Sequence, residues 1–128
     1  MSSQSGLGSR TNNTIIGGAY NYICNSVSYG RAVGNTILGS KNSTISQNET
    51  LIIGGSNHKI LECSPSYNLS EKSAIIAGDS NSIYGSMRSV ILGGCGLKLE
   101  LADDVVYVPK LRIATASLCN SIDMVPVS

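Results

Sequence analysis

Residues 51–60 read LIIGGSNHKI, and four other segments of the chain repeat the same ten-residue pattern. Each segment begins with a short aliphatic run, continues with a small residue, and ends with an aliphatic residue six positions after that small residue. Such self-similarity is typical of repeat architectures, in which a single unit cannot bury its own apolar side chains but stacked units can. The other four segments are TIIGGAYNYI (14–23), TILGSKNSTI (36–45), AIIAGDSNSI (74–83) and VILGGCGLKL (90–99).

The spacing of these segments sets the length of the unit. The small residues Gly17, Gly39, Gly54, Ala77 and Gly93 are 22, 15, 23 and 16 positions apart, so the basic unit has 15 or 16 residues and alternate units carry about seven more. We expect two short strands in each unit, one before the glycine corner and one around the closing aliphatic residue. The asparagines three or four residues after the small residue, Asn21, Asn42, Asn57 and Asn81, are predicted either to adopt left-handed backbone or to join a stacked polar ladder.

Composition agrees with this interpretation. The 128 residues include 14 Gly and no Phe or Trp, only 13% are charged, and the net charge of +1 provides no basic surface for nucleic acid. No stretch is long and apolar enough to predict membrane insertion. We therefore predict an all-β fold, a short-coil β-solenoid (β-helix or β-roll) of about five coils. Its predicted parts are a flexible lead-in (1–10), the repeats (11–104) and a C-terminal strand or cap segment (105–128).

Pairs of adjacent aliphatic residues add a prediction about assembly. Neighbouring residues on a strand point to opposite faces, so one member of each pair fills the coil and the other faces outward. Stacked outward members would form an apolar stripe roughly 24 Å long, which a soluble monomer seldom exposes. We predict a homotrimer, intertwined or side by side, that covers this stripe; the alternative is one wider sheet packed on itself. The core and trimer-interface candidates are Ile15, Ile16, Ile37, Leu38, Ile52, Ile53, Ile75, Ile76, Ile91 and Leu92.

The repeats resemble the Asn/Gly-rich β-solenoid repeats of phage and viral tail-fibre and tailspike proteins, and also those of trimeric autotransporter adhesin heads. The segment DDVVYVPKLRI (103–113) is similar to one that closes many such fibre regions, although Lys110 stands where Asn is usual. The resemblance implies a trimeric fibre segment of a virion, assembled in the host cytoplasm, that attaches to a host glycan or protein receptor and joins other fibre or baseplate components. Alternatives are a bacterial trimeric adhesin head and a fragment of a polysaccharide-cleaving tailspike.

Residues with reactive side chains do not form a recognisable catalytic, cofactor or metal motif, and we expect no enzyme activity and no cofactor. His58, the single histidine, is predicted to be an exposed turn residue; alternatively, three copies meet on a trimer axis and bind a metal or an anion. Cys24 and Cys63 are predicted to lie too far apart for a disulfide. The receptor-contact candidates are Tyr20, Tyr22, Tyr29, Tyr67 and Tyr84.

Overall fold

A computed structural model of the chain describes residues 9–24, 31–62, 70–114 and 121–124. Over these residues the fold is all-β and contains no helix. The strands are β1 (Ser9–Thr11), β2 (Thr14–Ile16), β3 (Tyr22–Ile23), β4 (Arg31–Val33), β5 (Thr36–Leu38), β6 (Thr44–Ile45), β7 (Leu51–Ile53), β8 (Lys59–Leu61), β9 (Ala74–Ile76), β10 (Ser82–Tyr84), β11 (Val90–Leu92), β12 (Lys98–Glu100), β13 (Val106–Tyr107), β14 (Leu111–Ala114) and β15 (Ser121–Met124).

Two parallel sheets organise these strands. One has six strands in the order β13-β11-β9-β7-β5-β2, and the other has five in the order β12-β10-β8-β6-β3. Strands of the two sheets alternate along the chain, so each repeat adds one strand to each sheet, and we call that repeat a coil. A third side carries the parallel pair β1–β4, while β14 and β15 pair antiparallel. This arrangement is compatible with a β-solenoid.

The core consists of two columns of aliphatic side chains, one from each sheet. In each three-residue strand of the six-stranded sheet from β2 to β11, the middle residue is buried, with 0–3% of its surface exposed. Strands pair in register, so Ile37 lies beside Ile15 and Ile52 beside Ile37. β-branched side chains suit this stacking because they are stiff and pack well on a pleated surface. The second column contains Ile23, Ile45, Ile60, Ile83 and Leu99.

A polar ladder runs through the corner that precedes the five-stranded sheet. Asn21 Oδ1 accepts the Ser43 backbone N–H at 3.0 Å, and Ser43 Oγ accepts the His58 N–H at 3.1 Å. His58 Nδ1 then accepts the Asn81 N–H at 3.3 Å, and Asn81 Oδ1 accepts the Leu97 N–H at 2.9 Å. Each coil thus satisfies a buried donor of the next coil, as buried polar groups require.

Two further ladders follow the same rule at the other corners. Ser73 Oγ accepts the Ser89 N–H at 3.2 Å, and Ser89 Oγ accepts the Val105 N–H at 3.1 Å. On the third side, Ser86 Oγ accepts the Ala102 N–H at 3.0 Å. The ladders therefore end at Leu97, Ala102 and Val105, apolar residues that pack against the core together with Tyr107.

The Gly-Gly corner is shaped by the ladder residue three positions later. A Cβ on Gly78 would lie 2.6 Å from Asn81 Nδ2, and a Cβ on Gly55 would meet His58 Nε2 inside van der Waals contact. In the coil whose ladder residue is the smaller Ser43, the same corner position holds Ser40, and the two hydroxyl oxygens lie 2.6 Å apart. Glycine at this corner therefore makes room both for a large ladder residue and for the carbonyl oxygen of the next coil, Gly78 O beside Gly55 and Gly94 O beside Gly78.

The fold confirms the prediction of two short strands per repeat. The alternative of one wider sheet is wrong, because the strands separate into two sheets. Strand β1 begins at Ser9, and β13 adds a strand beyond residue 104, so strands occur on both sides of the predicted limits of the repeats. Pro109 lies beside Gly94 at the last coil.

Candidate binding surfaces

The outer face of the six-stranded sheet is apolar, and we call it the apolar face. In every strand from β2 to β11 the residue after the buried isoleucine points outward. Ile16 and Leu92, at the two ends of this column, are 55% and 39% exposed, and the three residues between them are half-buried. A second outward column begins each strand and is also mostly apolar. The two columns comprise Ile16, Leu38, Ile53, Ile76 and Leu92, and Thr14, Thr36, Leu51, Ala74, Val90 and Val106.

Each predicted core or interface residue therefore has a defined place. The first members of the pairs, Ile15, Ile37, Ile52, Ile75 and Ile91, are buried in the chain's own core. They do not lie at the surface, so only the second members can contact another copy. The assignment of the second members to a trimer interface remains a prediction.

The outer face of the five-stranded sheet is polar by contrast. Thr44, Lys59, Ser82 and Lys98 are register neighbours along one outward column. Lys98 Nζ lies 3.1 Å from Glu100 Oε2 and 5.1 Å from the centre of the Tyr84 ring, a distance suited to a cation–π contact. The two sheets therefore present surfaces of opposite character.

A pocket of about 380 Å³ opens where this polar face meets the Gly-Gly corner. Three coils contribute to it. Its lining consists of Asn42, Asn57 and Ser80 from the corner, and of Lys59, Ser82 and Tyr84 from the sheet. The corner residues all have left-handed backbone, with φ between 54° and 57°, so equivalent positions of successive coils stack beside the sheet. We call this site the corner pocket.

A carboxylate fixes one wall of the corner pocket. Asp79 accepts hydrogen bonds from Ser56 Oγ at 2.6 Å and from Asn57 Nδ2 at 3.0 Å. These hydrogen bonds, of which the one from Ser56 has the larger effect, hold the pKa of the Asp79 carboxyl below its ordinary value. Because Nδ2 of Asn57 is engaged by Asp79, the amide orientation is set and its Oδ1 remains an acceptor.

The candidate tyrosines occupy different parts of the structure. Tyr20, at the first corner, is 69% exposed, and Tyr22, on β3, is 41% exposed. Tyr84 is half-buried on β10 and lines the corner pocket. Tyr29 and Tyr67 lie outside the described residues. Of the three candidates that lie in the described residues, Tyr84 is the one that lines the corner pocket.

The prediction for His58 is wrong. Its side chain is fully buried and forms part of the corner ladder, so it is neither an exposed turn residue nor available to a trimer axis. Burial lowers the pKa of His58 below its ordinary value of 6.5, although the charge of Asp79 opposes this shift. Because Nδ1 accepts a hydrogen bond, the neutral ring carries its proton on Nε2, which is buried without a hydrogen-bond partner among the described residues.

Other ionisable residues are engaged in the architecture. Glu49 pairs with Lys72 at 2.9 Å, Asp104 pairs with Arg88, and Asp103 Oδ1 accepts the Met87 N–H at 2.7 Å. Within the described ranges, no group of three or more His, Cys, Asp and Glu residues is arranged to hold a metal ion. Cys24 and Cys95 are free thiols, and Cys63 lies outside the described residues.

The residues that sequence reasoning missed are Lys59, Ser80 and Ser82. Their signal was available in the ten-residue pattern, since Lys59 and Ser82 both occupy its ninth position and Ser80 and Asn57 its seventh. Aligning the segments by position, rather than by residue type, places these side chains in neighbouring columns.

Comparison with known proteins adds no family to this description. No protein-family model matches the chain, and no curated protein matches it significantly. No helix in the described part of the chain is long and apolar enough to cross a membrane.

Proposed function

We propose that the chain is a structural and receptor-binding segment of a trimeric, phage-like viral fibre or tailspike, which attaches the virion to its host. In this proposal the chain is a β-solenoid of about five coils, and three copies pack around a common axis. The partners are the chain itself, a host glycan or protein receptor, and other components of the virion. Binding rather than catalytic turnover is its role.

The observation that carries the proposal is the apolar face. It extends over six strands, and strands lie about 4.8 Å apart, so its length is about 24 Å. Monomeric soluble proteins rarely leave a contiguous apolar surface of this kind uncovered. The polar face of the five-stranded sheet has no such requirement, because its lysine, serine and threonine side chains are well solvated. An assembly that buries the apolar face and leaves the polar face in contact with water suits both surfaces.

Side-by-side packing fits better than intertwining. The strands of both sheets already pair within one chain, from β2 to β13 and from β3 to β12. Intertwined chains would have to exchange these pairings. A cyclic arrangement of identical copies brings the same face of each to one axis and closes the assembly. Three exposed sets of corners then present the same weak receptor contacts together, which raises the overall affinity through avidity.

The solution mass tests the assembly. We expect sedimentation equilibrium to give about three times the chain mass of 13.3 kDa. Ile53→Asp puts a charge in the middle of the apolar face and should produce monomers. Thr44→Asp is the matched control, because it adds the same charge to an outward position of the polar face, and it should leave the mass unchanged. A wild-type monomer, or a trimeric Ile53→Asp protein, would contradict the interface.

Attachment requires a separate measurement. Fluorescently labelled wild-type protein should bind to cells of at least one strain in a panel of bacteria, and binding should be weaker for the monomeric Ile53→Asp variant because avidity is lost. A folded trimer that binds no strain would contradict the attachment role while leaving the trimer in place.

A further inference from the structure

We propose that the corner pocket binds one carboxylate-bearing sugar residue of a host glycan. This inference rests on the proposed attachment role and identifies the chemistry of one receptor contact. The pocket volume of about 380 Å³ lies at the small end of the range of roughly 300–1,000 Å³ that is typical of ligand sites. A volume of this size accommodates one sugar ring.

Charge selects the class of sugar. Lys59 is the sole charged residue of the lining, and its ammonium forms no ion pair with any carboxylate of the described residues. The Asp79 carboxylate, the acid attached to the wall through Asn57, is already held by two donors at 2.6 and 3.0 Å. An unpaired ammonium beside neutral amides and hydroxyls favours an anionic ligand, and a carboxylate forms a charge-assisted hydrogen bond with it.

Shape and hydrogen-bonding groups select a sugar over a simple anion. Tyr84 provides a flat apolar surface with a polar tip, as is typical of tyrosine at binding sites. Its ring is held by the cation–π contact with Lys98, which Glu100 fixes in turn at 3.1 Å. The side chains of Asn42, Ser80 and Ser82 surround this surface with donors and acceptors suited to ring hydroxyls.

Two sugars that differ at one group test the charge. Methyl β-glucuronide carries a carboxylate where methyl β-glucoside carries a hydroxymethyl group. In calorimetric titrations of the wild-type protein we expect the glucuronide to bind about tenfold more tightly. Lys59→Gln should abolish this preference, and Tyr84→Ala should weaken both sugars by about tenfold. Lys41→Gln is the matched control, because it removes an exposed lysine on the neighbouring row outside the pocket.

The outcomes separate this inference from the proposed function. Equal binding of the two sugars, or a preference that survives Lys59→Gln, overturns the assignment. Absence of binding to a protein of trimeric mass also overturns the pocket but leaves the fibre proposal standing. Conversely, a monomeric protein that binds the glucuronide through Lys59 supports the pocket and contradicts the trimer.

Discussion

The Gly-Gly corner before His58 gives the sharpest test of how neighbouring coils fit together. Gly54 and Gly55 both have left-handed backbone, with φ of +66° and +72°. A Cβ on Gly54 meets no atom within 4 Å, whereas a Cβ on Gly55 meets Gly78 O and His58 Nε2 inside van der Waals contact. Gly54→Ala and Gly55→Ala therefore form a matched pair in which the backbone strain is similar and the available space differs.

The expected magnitudes follow from these two terms. Left-handed backbone costs an L-residue about 1–2 kcal/mol, so this is the whole expected loss for Gly54→Ala. Gly55→Ala adds overpacking, which in well-packed interiors costs about 1–3 kcal/mol. The free energy of unfolding should therefore fall by about 1–2 kcal/mol in the first variant and by about 2–5 kcal/mol in the second.

Urea unfolding at one fixed protein concentration measures both losses, because oligomeric proteins unfold in a concentration-dependent way. The same experiment in a His58→Ser background identifies the opposing group. His58→Ser gives this ladder position the same small side chain as Ser43. In that background Gly55→Ala should therefore lower the free energy of unfolding by about 1 kcal/mol less than it does in wild type. Equal losses for the two glycines, or additive effects of Gly55→Ala and His58→Ser, would refute the steric link between corner and ladder.

Three further predictions concern the interior. The pKa of His58 is lowered from 6.5 in the folded protein, so the unfolded state takes up the proton first as the pH falls. The contribution of neutral His58 to the free energy of unfolding is therefore complete above about pH 6.5 and declines below it. Between about pH 7.5 and pH 5 the urea midpoint should fall for wild type and should change less for His58→Asn. Asn81→Ala leaves the Leu97 N–H without its acceptor and should lower the free energy of unfolding by about 1–3 kcal/mol, whereas Asn81→Ser retains an acceptor and should lose less in the same urea assay. Ile52→Ala empties a core position and should cost about 2–5 kcal/mol, while Ile53→Ala should leave the circular dichroism spectrum unchanged and weaken self-association in sedimentation runs.

The repeat pattern was enough to predict the strands, because a short unit with paired aliphatic residues has few ways to bury them. The asparagines show where prediction by residue type stops. Asn42 and Asn57, three residues after the small residue, have left-handed backbone, while Asn21 and Asn81, four residues after it, are buried in the ladder. Both expected roles occur, and an offset of one residue decides between them.

His58 was misplaced for the same reason. Its neighbours Asn57 and Lys59 are polar, which is typical of a turn, and a lone histidine carries no pattern of its own. Its position in the segment, the eighth, is the position of Asn21 and Asn81, and that equivalence outweighs the polarity of its neighbours. The corner pocket needed the same alignment by position, because its side chains come from three coils and the register of the sheet brings equivalent positions together.

Each of the three ladders ends at an apolar residue, so a few side chains set the number of coils that stack. Leu97, Ala102 and Val105 lie within a span of nine residues, and none has a side-chain oxygen that could accept a hydrogen bond from a following coil. Everything before them is modular. Duplicating residues 74–89 should therefore lengthen the stack by one coil, about 4.8 Å, without other changes. Serine or asparagine at Leu97, Ala102 and Val105 should provide side-chain acceptors on which a further coil could stack. The number of coils can therefore be changed one coil at a time.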